Sequence, residues 1–300
     1  MATDETSMKD IDIKSITNVA ADVEQYLIDF LDSRPLPNNL REACKYALLG
    51  GGKRLRPVLV IQSALAVGGS LQNALPPAAA IEMIHAFSLV HDDLPAMDDD
   101  DLRRGRPTLH KHTDEAMAIL AGDALMGLAF ELITTKIADS TLATRIVAEL
   151  ATGNNNMIAG QIYDTLPDFE DGVESLERLV TIHKNKTGAL LRASCRMGAM
   201  TAGANDKQIN DLTQYADAIG LMFQVVDDVL DVTQTTEQLG KTAGKDVEQD
   251  KMTYPALMGL DKSRDEIERL HAESIQALAG FGESADALRH LSDYMAVRQH

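Results

Sequence analysis

Apolar residues recur at intervals of three and four through nearly the whole of this chain, and that period leaves few folds open. Val19, Val23, Tyr26, Leu27 and Phe30 show it early. Such spacing stacks side chains on one face of an α-helix. Sustained alternation of apolar and polar residues between turns, the signature of a half-buried strand, is lacking. Trp is absent, aromatic residues make up 4%, and Ala, Leu and Met carry much of the 45% apolar content. That bias favours helix over strand. Turn-forming clusters fall at residues 35–39, 50–52, 68–70, 76–77, 98–107, 167–172, 203–206, 240–244 and 280–282. They divide the chain into roughly ten helical segments of common length. None resembles a long flexible linker. The expectation is one all-α domain over residues 1–300, with residues 1–35 as a peripheral helix and tail.

Lys and Arg number 28 against 46 Asp and Glu, a formal net charge of −18. Nucleic acid and anionic membrane surfaces repel such a chain, so neither is expected as a partner. Cys44 and Cys195 form no disulfide framework and match no zinc spacing; they read as buried thiols in a reducing compartment. The start, Met-Ala-Thr-Asp-Glu-Thr, is acidic, unlike a signal peptide. The longest apolar stretch, Ala116 to Phe130, is too short to span a bilayer and contains Asp123. A soluble, cytoplasmic protein is expected.

Against that helical background stand two acidic clusters set among apolar residues. The first is Asp92-Asp93-Leu-Pro-Ala-Met-Asp98, followed by Asp99, Asp100 and Asp101; the second is Asp227-Asp228-Val-Leu-Asp231. Aspartate is seldom buried unless something positive meets it. In the second cluster Asp227 and Asp231 are four apart, on one helix face, where they repel each other unless a cation intervenes. In the first, an unbroken helix would turn Asp98 far from Asp92. Pro95 stops that helix and lets the chain fold back. A solvated helix face and an acidic loop would account for either cluster alone. An EF-hand would not, because the central Gly and terminal Glu are missing. Two such clusters together suggest hard divalent cations and a phosphorylated substrate.

Basic residues are gathered locally. Gly50-Gly-Gly-Lys53-Arg54-Leu-Arg56-Pro57 is a glycine turn running into a basic helix start, as anion binding requires, without the spacing of a Walker loop. His85 lies nearly two turns before Asp92, close enough to help grip an anion. Arg103-Arg104-Gly105-Arg106 follow the first cluster and suit a diphosphate. Lys184-Asn-Lys186-Thr187-Gly188 and Gly240-Lys241-Thr-Ala-Gly-Lys245-Asp246 repeat Lys, hydroxyl and Gly near expected helix ends. Each alone reads equally as charge compensation or a turn.

Taken together these stretches resemble the trans-type short-chain prenyl diphosphate synthases. Ser88 to Gly105 looks like the family's first aspartate-rich motif and Phe223 to Asp231 like the second. Gly51-Gly-Lys-Arg-Leu-Arg-Pro, Lys186-Thr-Gly and Gly240-Lys-Thr-Ala-Gly-Lys-Asp match further motifs in the same order. The likeness runs from about residue 40 to residue 260 and is nearest to the bacterial farnesyl diphosphate synthases. It implies an isoprenoid-synthase helical bundle around a central cavity, usually a homodimer. It implies condensation of isopentenyl diphosphate with dimethylallyl and geranyl diphosphate. By the match, two or three magnesium ions would be held by Asp92, Asp98, Asp227 and Asp231, with Asp93 and Asp228 in less defined roles. Lys53, Arg56, His85 and Arg104 would hold isopentenyl diphosphate. Arg103, Lys186, Thr187, Gln224 and Lys241 would face the allylic substrate, the last four as the catalytic set.

Phe87, with Ser88 beside it, precedes Asp92 by five positions, about 7 Å along a helix. In related bacterial enzymes an aromatic residue there, with the longer first motif seen here, implies a fifteen-carbon product, farnesyl diphosphate. A geranylgeranyl diphosphate synthase on the same scaffold is the alternative. From other classes come a non-catalytic partner that only binds prenyl diphosphates, and an HD-type phosphohydrolase. The latter is suggested by His91-Asp92, with His110, His112 and His183 as further ligands, although the carboxylate excess suits magnesium better. Residues 261–300 carry no legible motif.

Overall fold

The computed structural model of the chain describes residues 18–233 and 252–297. Among them run α1 (Val19–Asp32), α2 (Asn38–Leu48), α3 (Leu55–Ala66) and α4 (Leu71–Asp92), then β1 (Leu102–Arg103) and β2 (Arg106–Pro107). These are followed by α5 (Leu109–His112), α6 (Glu115–Lys136), α7 (Ser140–Thr165), α8 (Ser175–His183), α9 (Ala189–Thr201) and α10 (Asp206–Thr233). The last are α11 (Tyr254–Met258), α12 (Leu260–Ala277) and α13 (Asp286–Val297). The fold is all-α, as the periodicity requires. Helix starts follow from short polar side chains that accept otherwise orphaned N–H groups. Ser70 accepts from Asn73 N, Asp114 from Met117 N, and Asp139 from Thr141 N and Leu142 N.

At the centre lies α4, which packs against α3, α6 and α9 and is buried on most of its circumference. A helix apolar all round belongs in an interior. One continuous apolar core runs from Val23 on α1 to Met295 on α13.

Several expectations give way here. Pro76 and Pro77 do not break the chain; both are buried inside α4. They sit within its second turn, where few backbone bonds are forfeited, and the surrounding packing holds the helix through them. Lys184–Gly188 is no helix end but a π-helical turn between α8 and α9. Residues 19–32 form α1, which buries Val23, Leu27, Phe30 and Leu31 on one face and leaves the rest half-buried or exposed. The stretch 116–130 is part of a 22-residue helix, α6, that is long and apolar enough to cross a membrane by length and composition alone. Close to half of its most apolar window is buried inside the protein. Finally, the sequence showed no sheet, yet β1 and β2 pair Leu102 with Pro107 and Arg103 with Arg106. Two-residue strands are too short to carry a period. Arg104 and Gly105, both at positive φ, make the tight turn between them.

Candidate active site

A single cavity of about 1150 Å³ gathers most of the residues singled out by sequence. Asp92, at the end of α4, and Asp227, on α10, both line it, so the two acidic motifs share one pocket. The chain does fold back after Asp92: Asp98 N donates to Asp92 O at 2.9 Å, and Asp99 N to Leu94 O at 3.2 Å. The Asp98 carboxylate nonetheless stands exposed, outside the cavity wall. Asp231 lies one turn beyond Asp227, and its Oδ2 is buried with no hydrogen-bond partner among the described residues. A buried, unanswered carboxylate oxygen is costly. Burial pushes the Asp92 carboxyl up; Lys186 opposes this and Asp98 adds to it. These donors are hard oxygens, which fits magnesium.

The second aspartate of each motif does something else. Asp93 is buried and ion-paired to Arg103, with Oδ1 2.5 Å from a guanidinium nitrogen. Asp228 Oδ2 accepts from Tyr254 N at 3.0 Å and lies 3.4 Å from His183 Nε2. Each fixes a neighbouring segment, and neither lines the large cavity.

Lys53, Arg56, His85, Arg103 and Arg104 line the same cavity, with Lys186 and Thr187 from the π-helical turn. Gly160 of α7 lets that turn approach closely. A Cβ there would overlap the Lys186 backbone, so the two helices meet main chain to main chain. Thr187 Oγ1 donates to Gln224 Oε1 at 3.0 Å, and Gln224 Nε2 reaches Asp227 Oδ2 at 3.5 Å. Gln224 therefore acts from behind the wall. Burial brings the Arg56 guanidinium down to about 10, with Glu82 opposing and Arg104 reinforcing; its Nε is buried and has no partner. Burial, then the charges of Arg56 and Arg104, hold His85 well below the usual imidazole range, so it is neutral. Lys241 lies outside the described residues.

Among the described residues, the non-glycine residues at positive φ are Arg54 (50°), Asp99 (49°) and Arg104 (53°). All lie in the turns carrying Lys53, Asp98 and Arg104. Such conformations cost on the order of 1 kcal/mol each and persist where the surroundings impose them. Arg104 donates to Gly51 O, and its guanidinium covers Gly52, at φ 119°. A Cβ at Gly52 would stand about 2.5 Å from that guanidinium. Gly52→Ala should therefore displace Arg104 and raise KM for the diphosphate it holds on the order of tenfold, the worth of a charge-assisted contact. Steady-state kinetics with each substrate varied in turn would check this; an unchanged pair of KM values would contradict it.

Four features escaped the sequence reading. Gln161 Nε2 donates to Asp92 Oδ1 at 2.5 Å, and Asp164 Oδ2 pairs with Lys186 Nζ at 2.6 Å. Both lie on α7, a helix of mixed composition on which no local signal set them apart. Arg54 is buried and pairs with Glu24 and Glu82, each at 2.7 Å. Glu82 is the lone acid in the apolar run from Pro76 to Phe87, the same signal that marked the aspartates. Tyr294 on α13 lines the cavity and its hydroxyl lies 3.3 Å from Lys53 Nζ, so the motif-free C-terminal region contributes to the site. The histidines do not converge on Asp92. His91 Nε2 lies 3.1 Å from Ile119 O, His112 stacks on Tyr46, and His183 faces Asp228. A nitrogen of His110 and carboxylate oxygens of Asp99 and Asp101 do lie within 4.8 Å of one another, outside the cavity wall.

Comparison with known proteins agrees with this geometry. The family model described as polyprenyl synthetase matches residues 37–290. A chloroplastic geranylgeranyl pyrophosphate synthase from Catharanthus roseus is 50% identical over 269 residues, 88% of this chain and 75% of that protein. Among solved structures, an FPP/GFPP synthase from Zymomonas mobilis in its apo form superposes with a TM-score of 0.83 at 34% identity, covering 96% of this chain and 99% of that one. A geranylgeranyl pyrophosphate synthetase from Pyrococcus horikoshii superposes with a TM-score of 0.85 at 29% identity, covering 95% and 98%.

Proposed function

Because this chain belongs to the polyprenyl synthetase family, we propose that it condenses isopentenyl diphosphate with allylic diphosphates and carries growth to geranylgeranyl diphosphate. The observation that carries the condensation reading is the shared cavity: Asp92 and Asp227 on one pair of helices, with Lys53, Arg56, His85 and Arg104 lining the same space. A site for one phosphate would not need both sets. Asp92 and Asp227, with Asp98 folded back beside Asp92 and Asp231 one turn beyond Asp227, would hold magnesium, which would neutralise charge developing on the allylic diphosphate.

The residues of the chain divide the work. Lys186, Thr187 and Arg103 meet the allylic diphosphate and draw off negative charge as its carbon–oxygen bond breaks and the electron pair leaves with the diphosphate. Lys53, Arg56 and Arg104 anchor isopentenyl diphosphate, with His85 as a further hydrogen-bonding partner. Its double bond attacks the allylic cation, a carbon–carbon bond forms, and the proton then lost passes to the departing diphosphate. Phe87, Met157, Ile158, Ile162 and Phe223 line the cavity and shield the cation from water.

Product length is the finer part. The C. roseus relative and others at 45–48% identity carry geranylgeranyl names, which favours twenty carbons over the farnesyl product expected from the motif. A farnesyl product remains the second reading because the Phe87 ring lines the cavity. The homodimer belongs to the same proposal; the exposed Ile119 and Leu120 on α6 supply an apolar face for it. Incubation with labelled isopentenyl diphosphate and dimethylallyl or geranyl diphosphate, with and without magnesium, tests the whole. Magnesium-dependent twenty-carbon product is expected. Phosphate release without condensation, or binding without turnover, would overturn it. Phe87→Ala should lengthen the product, by chromatography of the hydrolysed lipids.

A further inference from the structure

We infer that His91 and Gly122 are specificity-determining residues that fix how far the Phe87 ring stands into the cavity, and so how long the product grows. The inference rests on the reading that Phe87 limits chain growth. Phe87 and His91 are four apart on α4, so they share a face, and both line the cavity. Their rings meet edge to face, with centroids 5.7 Å apart and planes at 86°. His91 is in turn held from the far side, its Nε2 lying 3.1 Å from Ile119 O on α6.

What seats the imidazole there is a notch in α6. Gly122 is buried, and a Cβ built on it would overlap the His91 ring. Its backbone is helical and needs no glycine, since only positive φ does. Glycine inside a helix costs about 0.5–1 kcal/mol relative to alanine, so its presence needs a packing reason. Gly127 on the same helix is exposed and meets nothing within 4 Å, which makes it the internal comparison. A methyl group at Gly122 would evict the imidazole from α6. The displaced ring can move only toward the cavity that both rings line, against the Phe87 ring it already meets. Without the imidazole, Phe87 gains room to lie back.

Product distributions at saturating substrate separate the outcomes. Gly122→Ala should lower the ratio of longer to shorter product on the order of tenfold, the discrimination one methyl-sized change gives in an apolar pocket. His91→Ala should raise that ratio. Gly127→Ala should leave it unchanged. The double variant Phe87→Ala/Gly122→Ala should make the Phe87→Ala product, because no ring remains to push. A merely structural role for Gly122 would change yield or melting temperature but not this ratio. If Phe87→Ala lengthens the product while Gly122→Ala leaves it unchanged or longer, the notch has no such role and the Phe87 reading stands. If Phe87→Ala has no effect, the Phe87 reading itself fails, and this inference with it. Should Gly122→Ala fail to fold, His91→Ala decides alone, and an unaltered ratio overturns the inference.

Discussion

Asp92→Asn should be nearly inactive and at least as stable as the parent. The carboxylate lines the cavity beside Lys186, where charge on the leaving diphosphate has to be met. Losing a group that acts on developing charge in a water-poor site costs on the order of a hundred- to a thousandfold in turnover. Stability moves the other way. Burial lifts this carboxyl above its unfolded value, with Asp98 and Asp93 adding to the lift. At neutral pH the folded state therefore holds an ion it disfavours, and protonation through the raised pKa would stabilise it. Asparagine removes that charge, and its Oδ1 still accepts from Gln161 Nε2, which stands 2.5 Å from the carboxylate. Turnover at saturating substrates, and melting temperature without added divalent ions, check both halves. A fully active variant, or an inactive one with a markedly lower melting temperature, would contradict the assignment. The trade of stability for function is the one expected of an active-site charge.

Glu82→Ala should be the most destabilising substitution near the site. The Arg54 and Glu82 side chains are 2% and 4% exposed and meet at 2.7 Å, and Arg54 also donates to Leu48 O at 2.5 Å. Breaking a buried pair costs about 3–5 kcal/mol where the other charge is left uncompensated; Arg54 keeps Glu24 at 2.7 Å, so the loss should fall toward the lower end of that range. The consequence reaches the chemistry, because Arg54 sits between Lys53 and Arg56 in a left-handed conformation held by these contacts. KM for isopentenyl diphosphate should rise in the fraction that folds. Glu82→Gln, which keeps a hydrogen-bond acceptor, should lose less than Glu82→Ala. Denaturant midpoints order the three proteins; a loss below about 1 kcal/mol for the alanine variant would place this pair among ordinary surface contacts.

Legibility in the sequence differed from residue to residue for physical reasons. Asp92 and Asp227 were readable because charge amid apolar residues is costly and needs an explanation. Asp93 and Asp228 carry the same local signal, yet each is consumed by a partner outside its cluster, Arg103 and Tyr254 N. Spacing alone does not separate a ligand from a tether. The close approach of the Lys184–Gly188 turn to α7 was hidden because it depends on Gly160, on another helix. Pro76 and Pro77 misled for the related reason that packing outweighed a local preference.

The amino-acid order by itself determined the helical architecture and the approximate membership of the site, because periodicity and isolated charge are local properties of a chain. Which carboxylates face the cavity, which arginine is a strut rather than a ligand, and what stands behind Phe87 were decided only in three dimensions. Those outcomes depend on contacts such as Arg54 with Glu82 and His91 with Gly122, between residues 28 and 31 positions apart, and no local pattern encodes which surfaces will meet.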